Sequence, residues 1–197
     1  MPTMKCPGCA TPLATPAPQC PNCKFTLRRL DAKFGAVPLH SRYLTDRSDR
    51  LPASKIAKVR ESLQLFERKF PQSLFSVFVI ELPPHATVNE YAFWLANRAR
   101  FSSIEAVGAE NFDLLLVVDP AANAAAFTVG YGLEKYVSED DLDDALMAAF
   151  SDFQSGNLAG GIRTCIEWTT RRMRDISREV AKQNLNESNS KVTEAPV

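Results

Sequence analysis

From residue 54 onward the apolar residues fall in regular rhythm. Ile56, Val59, Leu63, Phe66 and Phe70 recur at spacings of three and four, one stripe on a helix that Ser54 is placed to cap and Pro71 to stop. Leu74–Leu82 (LFSVFVIEL) is rich in β-branched and aromatic residues and reads as a strand. Thr87 and Glu90 have capping-box spacing and open a helix to about Arg100. Asp113–Val118 (DLLLVV) is apolar throughout after its first residue, the mark of a strand covered on both faces. A turn at Asp119, Pro120 and Asn123 leads into a further strand, Ala124–Val129. Ser138 and Asp141 form a second capping box, whose helix turns Leu142, Ala145, Leu146, Ala149, Phe150 and Phe153 inward. A last helix starts near Asn157 and carries Leu158, Ile162, Cys165, Thr169, Met173, Ile176 and Val180 on one stripe. Strands alternating with helices predict an α/β fold, a mixed sheet of about four strands sandwiched between helices.

Composition adds little to that picture, but charge does. The 197 residues are 45% apolar and 23% charged, ordinary for a globular chain, and the net charge is zero. Its distribution is polarised: residues 1–45 hold six Lys/Arg against one Asp, and residues 101–160 hold one Lys against eleven Asp/Glu. The acidic stretch disfavours nucleic acid as a partner of the main domain and favours cations. Met1 to Phe25 has no apolar run and is broken by prolines, so it reads as no signal peptide, and the longer apolar runs are too short to insert in a membrane. The expectation is a cytoplasmic protein, in a reducing compartment where paired cysteines serve as metal ligands more often than as disulfides.

Those cysteines come first in the chain. Lys5–Phe25 reads KCPGCATPLATPAPQCPNCKF: Cys6 and Cys9 form one CxxC, Cys20 and Cys23 a second, each divided by a Pro-Gly or Pro-Asn suited to a tight knuckle. Two intervening residues let both sulfurs face one ion while backbone N–H groups turn toward the thiolates, and four thiolates suit tetrahedral Zn²⁺. About 25 residues bury too little apolar surface to fold alone, so a metal would supply the folding energy. Two disulfides, a redox-active CxxC and a rubredoxin-like iron site share parts of this pattern. The resemblance is to zinc ribbons, with a structural zinc, because four sulfurs leave no open position for chemistry. The basic surroundings (Lys5, Lys24, Arg28, Arg29) leave nucleic acid, an acidic partner or none open for the ribbon. The expected organisation is a mobile ribbon over 1–29, a linker and leading loop over 30–52, the α/β domain over 53–182 and a disordered polar tail over 183–197.

The stretch from Asn111 to Arg163 carries a second resemblance. The buried strand after Glu110-Asn111, the second strand ending in Val129-Gly130-Tyr131-Gly132-Leu133-Glu134, and Phe153-Gln154-Ser155-Gly156-Asn157-Leu158-Ala159-Gly160-Gly161-Ile162 resemble the TPM domain. Val37-Pro38, Asp46 and Glu90-Tyr91-Ala92 agree with its earlier segments, so the resemblance spans roughly 36–174. It implies an acid-phosphatase-like activity as in plastid members, divalent-ion binding as in bacterial ones, or an accessory role. The chain departs from the family at Glu110-Asn111-Phe112, where Asp-Asn-Gly is usual, and in the nearly neutral turn Pro120–Ala125.

The residues themselves suggest a site. Gly130 and Gly132 flank Tyr131 where positive φ or close backbone approach is expected. Glu134 then follows the strand, Asp119 ends the neighbouring one, Glu110 precedes it, and Asp46 joins if the leading loop folds back. Carboxylates converging at one end of the sheet would suit calcium or magnesium. Glu139, Asp140 and Asp141 read instead as first-turn acids favouring a helix dipole. Cys165 and Arg171 match the C-x5-R spacing of cysteine phosphatases but lack a glycine loop, so Cys165 reads as core. His40 and His85 read as surface residues, and Trp94 and Trp168 as packing. Arg171, Arg172, Arg174 and Arg178 suit a solvated face, a pairing with the acidic helix or a partner site. With no P-loop, DxDx or H-E-x-x-H motif, the expectation is an accessory module binding another protein; the alternative is a divalent-metal-dependent, phosphatase-like hydrolase of phosphomonoesters.

Overall fold

Side chains alternate across a central sheet so regularly that they define two separate cores. In the computed structural model, which describes residues 4–13, 18–99 and 112–193 (backbone alone at Met4 and beyond 183), the sheet comprises β3 (Leu44–Asp46), β4 (Phe75–Val79), β5 (Leu114–Asp119) and β6 (Ala124–Val129). A two-stranded hairpin, β1 (Met4–Lys5) with β2 (Pro12–Leu13), precedes it. The sheet order is β3-β4-β5-β6, the first three parallel and β6 antiparallel, which makes the sheet mixed as expected. Every residue of β4 and β5 is buried, the burial that a continuous apolar run predicts.

Phe75, Val77, Val79, Leu114, Leu116 and Val118 point to one face. There they meet α2 (Ala53–Lys69), α5 (Glu139–Gln154) and α6 (Leu158–Thr193). Phe78, Leu115, Val117 and Ala126 point to the other face, against α3 (Val88–Arg98) and the N-terminal segment with α1 (Leu27–Phe34). A single turn, α4 (Tyr131–Glu134), joins β6 to α5. The two crossovers therefore lie on opposite faces: α2 between β3 and β4, α3 between β4 and β5. Both step the same way across the sheet, so they have opposite hands, and one breaks the usual right-handed rule. Among the described residues, α3 is the crossover helix on its face, and the N-terminal segment with α1 packs beside it.

The helix boundaries follow local chemistry. Thr87 caps α3 by accepting the Glu90 N–H at 3.2 Å, and Ser138 and Asp141 exchange both bonds of a capping box. Ser54 is not a cap, because α2 begins one residue earlier behind Pro52, which fits an N-terminus through its fixed φ. Phe150 is not core: it stands 51% exposed, because Ala145, Ala149 and Phe153 already fill the inner face of α5. Residues 30–52 are more than a linker, since they contain most of α1 and all of β3. Thr26 accepts the Arg29 N–H to start α1, and Leu30 and Phe34 lie on one side of it, a signal too short to stand out in sequence. The α6 backbone runs helical to Thr193, past the point where the tail was expected to begin, for it meets no proline or glycine there.

Candidate metal centre

The two CxxC segments fold alike. Cys6 N–H bonds Thr11 O and Ala10 N–H bonds Cys6 O; Cys20 N–H bonds Phe25 O and Lys24 N–H bonds Cys20 O. Ala10 and Lys24 each turn left-handed (φ 54° and 60°) just after the second cysteine of their pair. These paired turns bring the four sulfurs within 4.8 Å of one another, with Cys6 to Cys23 at 3.6 Å and Cys9 to Cys20 at 3.8 Å. None is in a disulfide. Backbone N–H groups of Gly8 and Cys9 reach the Cys6 sulfur, and those of Cys23 and Asn22 reach Cys20. The Thr11 hydroxyl, 3.1 Å from Cys9 Sγ, leads the contacts that draw the Cys9 thiol down to about 6. Burial pushes Cys23 up to about 12. Thr11 and Asn22, whose amide bonds both Thr11 and the Cys9 sulfur, went unnoticed in sequence; their signal was a polar residue within or just after each CxxC. Gly8 is glycine because a Cβ there would lie 2.9 Å from the Phe25 ring. The four cysteines could hold a metal such as zinc.

The cluster is packed into the fold, where a detached ribbon was expected. Cys6 and Cys20 belong to the same apolar core as Phe78, Trp94 and Leu115. The Phe25 ring stands edge-on to Phe93 with centroids 5.7 Å apart, and Phe34 packs against Tyr91 and Trp94 at 5.0 and 5.2 Å. Asp31 accepts from Trp94 Nε1 at 3.1 Å and from both arms of Arg98, whose guanidinium holds its carboxyl below the usual carboxylate range. Lys33 bridges to Glu90 and Lys5 to Glu139. Exposed ion pairs add little, whereas aromatic pairs are worth about 0.5–1.5 kcal/mol each beyond the area they bury, so the apolar contacts dominate.

The carboxylates do not converge. Asp119 faces Ala124 across the β5–β6 pair, while Leu114 faces Val129 at its other end. Glu134 ends the turn of helix that follows Val129, at the end of the sheet about 17 Å along the strand from Asp119. Antiparallel pairing of β6 is the reason: a strand that returns ends where its partner began. Asp46 does share an edge with Asp119, but β4 separates them by about 10 Å. Both are engaged by backbone. Asp119, buried beside a cleft of about 260 Å³ that Arg50, Asn123 and Phe153 also line, accepts from the N–H groups of Leu82, Ala121 and Ala122. Asp46 accepts from Ser48 and Leu51 N–H. Glu110 lies outside the described residues. Among the described residues, the cysteines form the one group of three or more side chains close enough to share a metal. At the Glu134 edge the overlooked acid is Asp113, which bonds Leu74 N–H; burial raises both its carboxyl and that of Glu134.

Residues 44–171 match the TPM domain, 128 of the 197 positions. The chain belongs to the TPM domain family. Solved structures share the fold. The N-terminal domain of a protein from P. gingivalis is 22% identical, with 68% of this chain and 82% of that one covered at a TM-score of 0.57. The BA42 protein from the psychrophilic bacterium Bizionia argentinensis is 15% identical, covering 66% and 86% at 0.55. The N-terminal domain of the cg2496 protein from Corynebacterium glutamicum is also 15% identical, covering 70% and 83% at 0.52. No curated protein matches the chain. The four-cysteine segment precedes the matched residues, so it is an addition docked on a TPM domain.

Two TPM motifs gain physical explanations. Of the two expectations for Gly130-Tyr131-Gly132, positive φ is not met by either glycine: Gly130 (φ −71°) caps α4 and Gly132 is buried within it, while Tyr131 stands 69% exposed. In the second motif, Gly156 turns left-handed (φ 75°) and Asn157 bonds Asp152 while accepting Gly160 N–H, forming the corner between α5 and α6. Cys165 is buried with its thiol pushed up to about 12, as a core residue should be. Arg172 pairs with Asp141 at 2.9 Å, joining the basic segment of α6 to the acidic start of α5. Among the described residues no helix is long and apolar enough to cross a membrane.

Proposed function

We propose that this protein is a non-catalytic TPM accessory module that binds another protein, with a structural zinc ion in its four-cysteine knuckle. It rests on one observation: Asp46 and Asp119, the acids that sequence reasoning set aside for a second cation, accept backbone N–H bonds and lie apart from Glu134. A protein partner has support on α5, whose outward face exposes Asp140, Asp143, Asp144, Met147 and Phe150 together, the last two 68% and 51% exposed. For zinc, a tetrahedral site with metal–sulfur bonds near 2.3 Å sets its sulfurs about 3.8 Å apart, close to the 3.6 and 3.8 Å separations here. The four sulfurs would complete the ion's coordination, leaving it structural.

A divalent-metal-dependent hydrolase of phosphomonoesters is the second reading. Asp113 and Glu134 favour it, since their carboxyls are raised by burial at one edge of the sheet, near the Tyr131 turn. Hydrolysis of a generic phosphomonoester with Mg²⁺, Ca²⁺ or chelator separates the two. The accessory reading expects no turnover above background in any condition and about one zinc per chain by elemental analysis. Turnover that chelator and Glu134→Gln both abolish would overturn it.

A further inference from the structure

We infer that metal in the knuckle is a latch on α3: its presence holds the knuckle and α1 against α3, and its loss releases both, baring Tyr91, Phe93 and Trp94. The latch rests on the zinc reading above and deepens it. Three links connect the sulfurs to α3. Cys6 and Cys20 are 2% and 3% exposed and sit in the core that contains α3, so the ligands are themselves part of the packing. Phe25 stands two residues after Cys23, its carbonyl taken by Cys20 N–H and its ring wedged between Gly8 and Phe93. Thr26 then caps α1, so the fold of the knuckle sets where α1 begins and delivers Leu30, Asp31 and Phe34 to Tyr91, Trp94 and Arg98.

Neither element can stand alone. A hairpin of two-residue strands needs a metal to fold, and an eight-residue helix is too short to persist in water without a surface to pack on. Metal binding and docking are thus one coupled equilibrium. The coupling is reciprocal: whatever zinc adds to docking, docking adds to zinc affinity. The α3 face released in this way carries an aromatic cluster with Trp94 only 1% exposed.

The test uses the full chain carrying Trp168→Phe, so that Trp94 is the sole indole. Zinc is titrated into chelator-stripped protein while Trp94 emission and hydrogen exchange at residues 27–34 are followed, with buried α6 amides as control. At a free zinc level of about 100 dissociation constants, exchange in 27–34 should slow about a hundredfold and Trp94 emission shift to the blue, with α6 unchanged. Phe93→Ala, which leaves the knuckle's own residues intact, should weaken zinc binding about two- to tenfold. Zinc uptake with no change in α1 exchange or Trp94 emission overturns the latch and leaves the zinc reading standing. So does loss of α6 protection on stripping, for the metal would then hold the whole domain. A chain that takes up no zinc refutes the zinc reading, and the latch with it.

Discussion

Gly161→Ala sets two magnitudes against each other. Within a helix, alanine is favoured over glycine by about 1 kcal/mol, so propensity alone predicts stabilisation. But a Cβ at Gly161 would lie 2.5, 2.6 and 2.9 Å from three ring carbons of Phe153, where ordinary contact starts near 3.4 Å. Phe153 is 9% exposed and packed in the core where α5 meets α6, so moving its ring aside, toward the cleft it lines beside Asp119, would forfeit buried contacts. Overpacking of this kind costs about 1–3 kcal/mol, and an overlap near 1 Å against a confined ring belongs in the upper half of that range. The net expectation is a loss of about 1–2 kcal/mol, or a midpoint lower by about 2–8 °C for a chain of this size. Urea unfolding should show a lower midpoint at constant slope. Phe153→Leu in the Gly161→Ala background should restore part of the loss, giving a double-mutant coupling of about 1 kcal/mol. A variant as stable as wild type, or strictly additive substitutions, would refute the reasoning.

Other expectations follow from the same geometry. Gly156→Ala should cost about 1–2 kcal/mol in urea unfolding through its φ of 75° alone, since nothing lies within 4 Å of the added carbon and no core substitution can rescue it. Thiol labelling of the zinc-loaded chain should be slow; chelation should release four reactive thiols and leave Cys165 unmodified until global unfolding, as mass spectrometry would count. Because Arg98 depresses the Asp31 carboxyl, its contribution is complete above the unfolded value of about 3.9 and is lost as pH falls through the lower folded value. The stability gap between wild type and Asp31→Asn, measured across pH, should therefore close on acidification. Burial raises Glu134, so its ionised form opposes folding as pH rises past about 4.3. Glu134→Gln should be the more stable protein at pH 7 and equal to wild type below about pH 4; a variant less stable at pH 7 would contradict this.

What the sequence determined by itself was local. Continuous apolar runs marked β4 and β5 as buried strands, capping chemistry at Thr87 and Ser138 marked two helix starts, and the doubled CxxC marked the four cysteines that cluster, because each depends on neighbours a few residues apart. The Gly-Tyr-Gly and Phe–Gly-Gly-Ile segments identified the TPM domain for the same reason. The tertiary structure decided what depends on strand direction and on contacts distant in sequence. Antiparallel pairing of β6 sent Glu134 to the edge opposite Asp119, a choice that leaves no mark on either segment. Placement of the α2 and α3 crossovers on opposite faces put α3 beside the N-terminal segment, where Phe25, Asp31 and Phe34 find partners some 60 residues away. A short helix and a four-cysteine knuckle look independent in sequence; packing makes them part of one core.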